Sequence, residues 1–406
     1  MRPEIAVTGL GLVTPAGHTA EANWAALCRG RSLATPDPEL AGLPVDFSCQ
    51  VTGFDAAAEL GRSLARRVDR FIQFALTAAR RAVADAALDT GTWPAERVGI
   101  VLGVGSNSLS TYITEFGHLG ADRPERVSPL ALPRSVPSMA AGEVAIDLGA
   151  RGPNFTVSSA CASGATAIGV ARDLLRSGTC DIVLAGGSES ARSRMTAICF
   201  TRMRALSRRR GQPQLASRPF DAARDGFVLG EGAAVLVLER LSDARARGAP
   251  VHAVLRGYGA GADAHHPVAP HPDGAGAERV IRAALEDAAG APGDVGLVHA
   301  HGTSTVLNDA AEAAALTRVF GADTPVTAAK GVIGHALGAA GAIQAAYTVL
   351  SLRHRTVPPV ANFQGQDGDH KLDIVADQPR PMVGKAGLSC SFGFGGQNAV
   401  LLFTTA

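Results

Sequence analysis

The sequence predicts an α/β fold built by duplication, with two mixed sheets around a shared layer of small-residue helices. Three observations carry the prediction. Four segments recur in the same order in the two halves of the 406-residue chain. The strand candidates are unbroken apolar runs bounded by glycines, which suits sheets buried on both faces. Alanine-dominated helical stretches lie between them, and strands alternating with helices argue for α/β layering.

The chain opens on an apolar strand, residues 5–7, and a Gly/Pro turn. Its Val7-Thr8-Gly9-Leu10-Gly11 resembles Leu255-Arg256-Gly257-Tyr258-Gly259. Helical stretches at 20–29 and 69–87 follow, then a strand at 98–102, whose segment 98–103 is matched by 295–300. Residues 106–153 form a polar, Pro-containing insertion placed to cap a site or a partner. Residues 161–176 read as a helix, and Ala162-Ser163-Gly164-Ala165 is matched by Ala339-Ala340-Gly341-Ala342 inside a second helix at 337–352. Strands at 182–185 and 233–238 close the first half, and residues 230–238 are matched by 395–403. The charged stretch 239–250 is the seam, dividing the chain into halves 1–245 and 250–406. The second half adds strands at 251–255, 297–299 and 399–403 and helices at 277–289 and 310–319. Each match is short, but four in colinear order are the signature of an internal repeat. Gly164, Gly169, Gly338 and Gly341 inside the two matched helices allow them to pack closely.

Composition removes several classes of function. Forty-six per cent apolar and 18% charged residues exclude intrinsic disorder. With 38 Lys and Arg against 37 Asp and Glu, there is no basic excess of the kind nucleic-acid binding leaves. No run reaches the roughly 18 to 20 apolar residues that span a bilayer. The opening residues lack a basic leader and an apolar export segment, so a cytoplasmic protein without membrane partners is expected. The six cysteines include no Cys-x-x-Cys pair, so neither disulfides nor a metal site is expected. Cys28, Cys49, Cys180, Cys199 and Cys390 read as small buried apolar residues.

Chemistry concentrates in three segments. Ser158-Ser159-Ala160-Cys161-Ala162-Ser163-Gly164 puts a cysteine where extended chain becomes helix. Free N–H groups there favour thiolate over thiol and can hold a developing oxyanion, against the plainer reading of a small buried residue. His299-Ala300-His301-Gly302-Thr303-Ser304-Thr305 follows a second-half strand, and residues just past the carboxyl end of such strands commonly line sites. His301, nearer the loop, is the catalytic candidate, and His299 reads as structural. Lys330-Gly331-Val332-Ile333-Gly334-His335 leads into the helix that mirrors the Cys161 helix, so Cys161 and His335 can approach from opposite halves. Lys330 is either an anchor for the site or a surface residue. Three nucleotide or hydrolase patterns fail: Thr14 replaces the third glycine of a dinucleotide fingerprint, no Gly-Lys-Ser/Thr loop occurs, and residues 186–190 lack nucleophile-elbow spacing.

Taken together these segments resemble the β-ketoacyl-[acyl carrier protein] synthases, most of all the elongating type II enzymes of fatty acid synthesis and their polyketide relatives. The resemblance runs from Val7-Thr8-Gly9-Leu10-Gly11 to Ser391-Phe392-Gly393-Phe394-Gly395-Gly396. It rests on the segments at Cys161, His301 and His335, on Lys330, and on Arg218-Pro219-Phe220-Asp221 and Arg224-Asp225-Gly226-Phe227. It implies the duplicated thiolase-like fold in five α-β-α-β-α layers, usually dimeric. It further implies decarboxylative Claisen condensation of a malonyl-carrier protein with an acyl group on Cys161. His301 and His335 would promote decarboxylation, Lys330 would orient the network, and the N–H groups of Cys161 and Phe394 would form the oxyanion hole, with Phe394 as gate. Substrate contacts would come from Thr303, Thr305, Phe200, Ser108 and Phe392. No resident cofactor is implied, since the phosphopantetheine arm arrives on the carrier.

Three departures stand out. Gln344 occupies a position where the family usually carries Glu, nine residues beyond the second histidine. Ser108 falls near a bulky pocket position of fatty-acid enzymes, and Gln397 replaces a threonine in the last glycine loop. A cyclising or acyl-transferring enzyme of the same type, and a non-catalytic chain-length partner subunit, are the alternatives. A degradative thiolase is disfavoured, because its usual second-cysteine pattern is absent around Cys390. Carrier proteins are acidic, and Arg66, Arg67, Arg204 and Arg126 are the expected docking residues.

Overall fold

The structure is a computed structural model that describes residues 3–106 and 109–406. In chain order the main strands are β1 (Ile5–Val13), β2 (Val98–Gly103), β3 (Asn154–Val157), β4 (Ile182–Glu189), β5 (Gly232–Arg240), β6 (Ala253–Ala262), β7 (Val295–His299), β8 (Pro325–Thr327), β9 (Ala386–Gly393) and β10 (Gln397–Thr404). The helices that matter for the site are α1 (Arg70–Asp85), α2 (Ser163–Arg176), α3 (Ala275–Asp287), α4 (Val306–Phe320) and α5 (Ala340–His354).

The repeat is visible in the sheets. The first half runs β3-β2-β4-β5-β1 and the second β8-β7-β9-β10-β6, the same order with every label raised by five. The parallel and antiparallel senses match pair by pair. A two-residue strand, Asp373–Ile374, extends the second edge. One detail departs from two separate sheets. Ile5 to Val7 pair antiparallel with Ala253 to Leu255, so the halves join into one eleven-stranded ladder.

The glycine pattern that betrayed the repeat has a packing cause. A Cβ on Gly9 or Gly11 would run into backbone carbonyls of α1, and one on Gly257 or Gly259 into those of α3. Each half thus seats a helix directly on its first strand. Between the sheets, α2 and α5 form the central layer, where the largest apolar cluster mixes residues of both halves, among them Ile5, Val101, Ile168, Leu297, Ile343 and Phe403.

Four differences from the sequence expectation have local reasons. Strands β3, β8 and β9 were not foreseen, the first two being four and three residues long and the third rich in Ser, Gly and Cys. The insertion, given no elements from the sequence, carries the helices Leu109–Gly120, Ala131–Ser135 and Ser138–Leu148 among its described residues. The seam carries the end of β5 and the helix Leu241–Ala246, and Glu239 within it is buried, accepting hydrogen bonds from Thr8 and Arg247. The second matched helix starts at Ala340, after a short 3₁₀ turn at Leu337–Ala339.

Candidate active site

Cys161 stands at the end of a tight turn ahead of α2. Ala160 takes φ 48°, the left-handed region that disfavours a Cβ-bearing residue. Ser163, the first residue of α2, holds that turn: its Oγ accepts the Ser159 N–H at 2.9 Å and donates to the Ala160 carbonyl at 2.6 Å. The helix therefore begins two residues past the cysteine rather than at it. Backbone N–H groups of Phe394 and of Cys161 itself both face the sulfur. Burial nevertheless pushes the thiol up to about 11, against the pull of the Lys330 charge and of those N–H groups. The expected resting thiolate is thus corrected to a thiol, because desolvating a full charge costs more than these partners return.

His301 follows β7, and its backbone is clamped by an acid from α4. Glu312 accepts the N–H of His301 at 2.6 Å and that of Gly302 at 2.8 Å. Lys330 is buried, so it is no surface residue. Its Nζ donates to the His301 carbonyl at 2.6 Å and to Gln344 Oε1 at 3.1 Å, and lies 3.3 Å from His301 Nδ1. An ammonium can only donate, so Nδ1 accepts and the His301 proton resides on Nε2. His335 enters from the turn before α5, its N–H bonded to the Val228 carbonyl at 2.8 Å. The two imidazoles meet edge to face at 5.4 Å. Burial first, then the Lys330 charge, holds both pKa values well below the usual histidine value, so both rings are neutral. His299 is buried as expected, with Nε2 accepting the Ala329 N–H.

Cys161, His301 and His335 line one cavity of about 380 Å³ together with Thr303, Thr305, Phe200, Phe392, Phe394 and Arg204. Phe392 lies 5.9 Å from His301 and Phe200 lies 6.0 Å from Phe394, so the cysteine and histidine segments share aromatic walls. Thr303 and Thr305 share a 2.8 Å hydrogen bond between hydroxyls. Ser108 lies outside the described residues. Among the docking candidates, Arg204 is exposed at the cavity rim, Arg66 and Arg126 are exposed away from its lining, and Arg67 is exposed but paired with Glu143 at 2.5 Å.

Sequence reasoning missed Asp309 and Glu312. Asp309 accepts the N–H groups of Ser304 and Phe220, and Glu312 those of His301 and Gly302, so one face of α4 braces the whole histidine loop. The signal was present as two acids three apart on an alanine-rich helix, a spacing that puts both on one face. Gln344 was noted only as a departure. Its Nε2 donates to the carbonyls of His299 at 2.6 Å and Cys390 at 2.7 Å while its oxygen accepts from Lys330.

A half-buried thiol facing two N–H donors, beside two neutral imidazoles in one apolar cavity, can accept an acyl group and stabilise oxyanions at two separate points. Comparison with known proteins points the same way. The N-terminal domain model of the β-ketoacyl synthases matches residues 2–244 and the C-terminal domain model residues 252–364. A 3-oxoacyl-[acyl-carrier-protein] synthase 2 from a Synechocystis species is 40% identical over 407 residues, spanning 99% of this chain and 98% of its own. The solved ishigamide ketosynthase/chain length factor superposes with TM-score 0.93 at 34% identity, all of both chains covered. A type II polyketide ketosynthase, solved with its acyl-carrier protein and bound to a hexaketide, gives 0.92 at 31%, again over both whole chains.

Proposed function

This chain belongs to the β-ketoacyl synthase family and is a condensing acyltransferase, and we propose that Cys161, His301 and His335 divide its reaction between them. Cys161 Sγ attacks the thioester of an acyl-carrier protein, the acyl–sulfur bond to the phosphopantetheine breaks, and the thiol proton leaves with the departing sulfur. The carbonyl oxygen is held by the N–H groups of Cys161 and Phe394. A malonyl thioester then binds along Thr303 and Thr305 and loses carbon dioxide, and the electron pair left behind forms an enolate. Its oxygen accepts hydrogen bonds from the two neutral imidazoles. The enolate carbon attacks the Cys161 thioester, a carbon–carbon bond forms, the acyl–sulfur bond breaks, and Cys161 leaves as a thiolate that takes a proton from solvent to return to the thiol. Decarboxylation makes the carbanion equivalent, so no strong base is called for, and neutral rings suit a donor role better than a base role.

The observation that carries this reading is the single cavity lined by the sulfur and both imidazoles. The test is a pair of assays. Cys161→Ala abolishes the acyl-enzyme mass shift; His301→Ala and His335→Ala block carbon dioxide release from malonyl-carrier protein while Cys161 is still acylated. Acylation of the Cys161→Ala protein, or parent-rate release from both histidine variants, would refute the division of roles.

An acyl-carrier protein is the donor in this reading, supported by the solved relative described with one. We assign its docking to Arg204 at the rim, with Arg66 and Arg126 as outlying contacts. A second copy of this chain is assigned to the insertion face, where Ile113, Phe116 and Leu119 on the helix Leu109–Gly120 are exposed. Sedimentation equilibrium reads that stoichiometry, and a monomer at micromolar concentration removes the assignment. Among the described residues no helix is long and apolar enough to cross a membrane.

A further inference from the structure

We infer that Gln344 is a positioning residue that fixes Lys330 and, through it, the proton of His301, an inference that rests on the role given to His301 above. The amide can take only one orientation. Its Oε1 faces an ammonium, which only donates, and its Nε2 faces the carbonyls of His299 and Cys390, which only accept. Those carbonyls belong to paired neighbouring strands, since Ser389 on β9 lies opposite His299 on β7. One side chain therefore ties the strand that leads into His301 to the strand that leads into Phe392 and Phe394.

The same amide completes the surroundings of Lys330. Its three N–H groups have three acceptors: the His301 carbonyl, His301 Nδ1 and Gln344 Oε1. Without the third, a buried N–H is left unpaired and the ammonium has room to turn away from Nδ1. His301 would then no longer be held with its proton on Nε2. The charged and titratable groups facing Lys330 are Glu312 and Asp309 from α4, Cys161 ahead of α2, Cys390 on β9 and the rings of His299, His301 and His335. Burial disfavours the ammonium and Glu312 favours it. The amide oxygen adds a dipole to the favourable side without adding charge. A carboxylate here would set oxygen against the two carbonyl oxygens that the amide now serves.

The test follows carbon dioxide release from malonyl-carrier protein against pH for the parent, Gln344→Met and Gln344→Glu, with Cys161 acylation followed by mass spectrometry. Gln344→Met keeps the shape and removes every hydrogen bond. It should lower kcat about tenfold, with KM little changed and acylation retained. The alkaline limb of its profile should move about one pH unit lower, because the ammonium has lost an acceptor. Gln344→Glu keeps the acceptor, so its limb should stand at or above the parent's. Nitrogen-15 spectra should show His301 as a single Nε2–H tautomer in the parent and as a mixture in Gln344→Met. A Gln344→Met limb that coincides with the parent's overturns the inference, since a purely structural role would lower the rate equally at every pH. So does a Gln344→Glu limb displaced below the parent's, and this decides alone should the Met variant fail to unfold cooperatively. If His301→Ala releases carbon dioxide at the parent rate, the role of His301 falls first, which separates the two failures.

Discussion

At Cys161 the contest is between desolvation and a set of favourable partners, and desolvation wins. The Lys330 charge and two backbone N–H groups pull the thiol down, yet it stands raised to about 11. The sulfur is therefore a thiol at neutral pH and becomes nucleophilic as it reacts, when the proton and the leaving group can be exchanged. Alkylation of the free enzyme by iodoacetamide at Cys161 should accordingly climb about tenfold per pH unit from about pH 8 to about pH 10, without levelling. A plateau reached by about pH 8 would mean that the thiolate is stabilised after all. The imidazoles follow the same rule with the opposite charge. Burial disfavours imidazolium, which leaves His301 and His335 as neutral donors, the state that the proposed enolate stabilisation needs.

The elements that carry these residues meet backbone to backbone. A Cβ on Gly164 in α2 would lie 2.6 Å from the Ala342 nitrogen, and one on Gly341 in α5 would lie 2.8 Å from the Ala165 nitrogen and 2.9 Å from Ser391 Oγ. Helices cannot relieve such contacts by a rotamer change, so the axes must part. Gly341→Ala should then cost about 1 to 3 kcal/mol of stability. Because Cys161 leads into one helix and His335 into the other, condensation should fall more than Cys161 acylation does. Gly117→Ala, in the insertion helix with nothing within 4 Å of the added carbon, is the control and should be neutral or slightly stabilising. An equally stable Gly341→Ala protein would show that the crossing has slack. The face of α4 works differently, through polar groups: Asp309 and Glu312 spend their oxygens on backbone N–H groups of the histidine loop.

Across the whole molecule, 38 Lys and Arg nearly balance 37 Asp and Glu, and much of that balance is local pairing. Many arginines are already engaged, Arg70 with Glu231 and Arg210 with Asp46 among them, so the surface offers fewer free cations than the arginine content suggests. Arg204, exposed at the cavity rim, is the proposed docking contact nearest the chemistry. Arg204→Glu should raise KM for the acyl-carrier protein about tenfold, with a smaller effect as salt rises and little change in kcat. An unaltered KM at low salt would move docking elsewhere.

The duplication was legible because it is written in local pattern: glycines where a helix sits on a strand, apolar runs where a strand is buried on both faces. Cys161, His301 and His335 were legible for a related reason, since turn chemistry and flanking glycines mark them within a few residues, whereas Lys330 stayed open between anchor and surface residue and took its role from the family resemblance. Strands β3 and β8 escaped notice because pairing, not composition, makes so short a segment a strand, and β9 because its small polar residues give no apolar run. Asp309 and Glu312 became functional only when α4 was laid against the histidine loop. What the sequence determined alone was the repeat and the candidate reacting groups; only the tertiary structure decided their charge states and partners, including the thiol's proton and the orientation of Gln344. Charge state depends on how completely water is excluded, and that exclusion is the joint work of residues far apart in the chain.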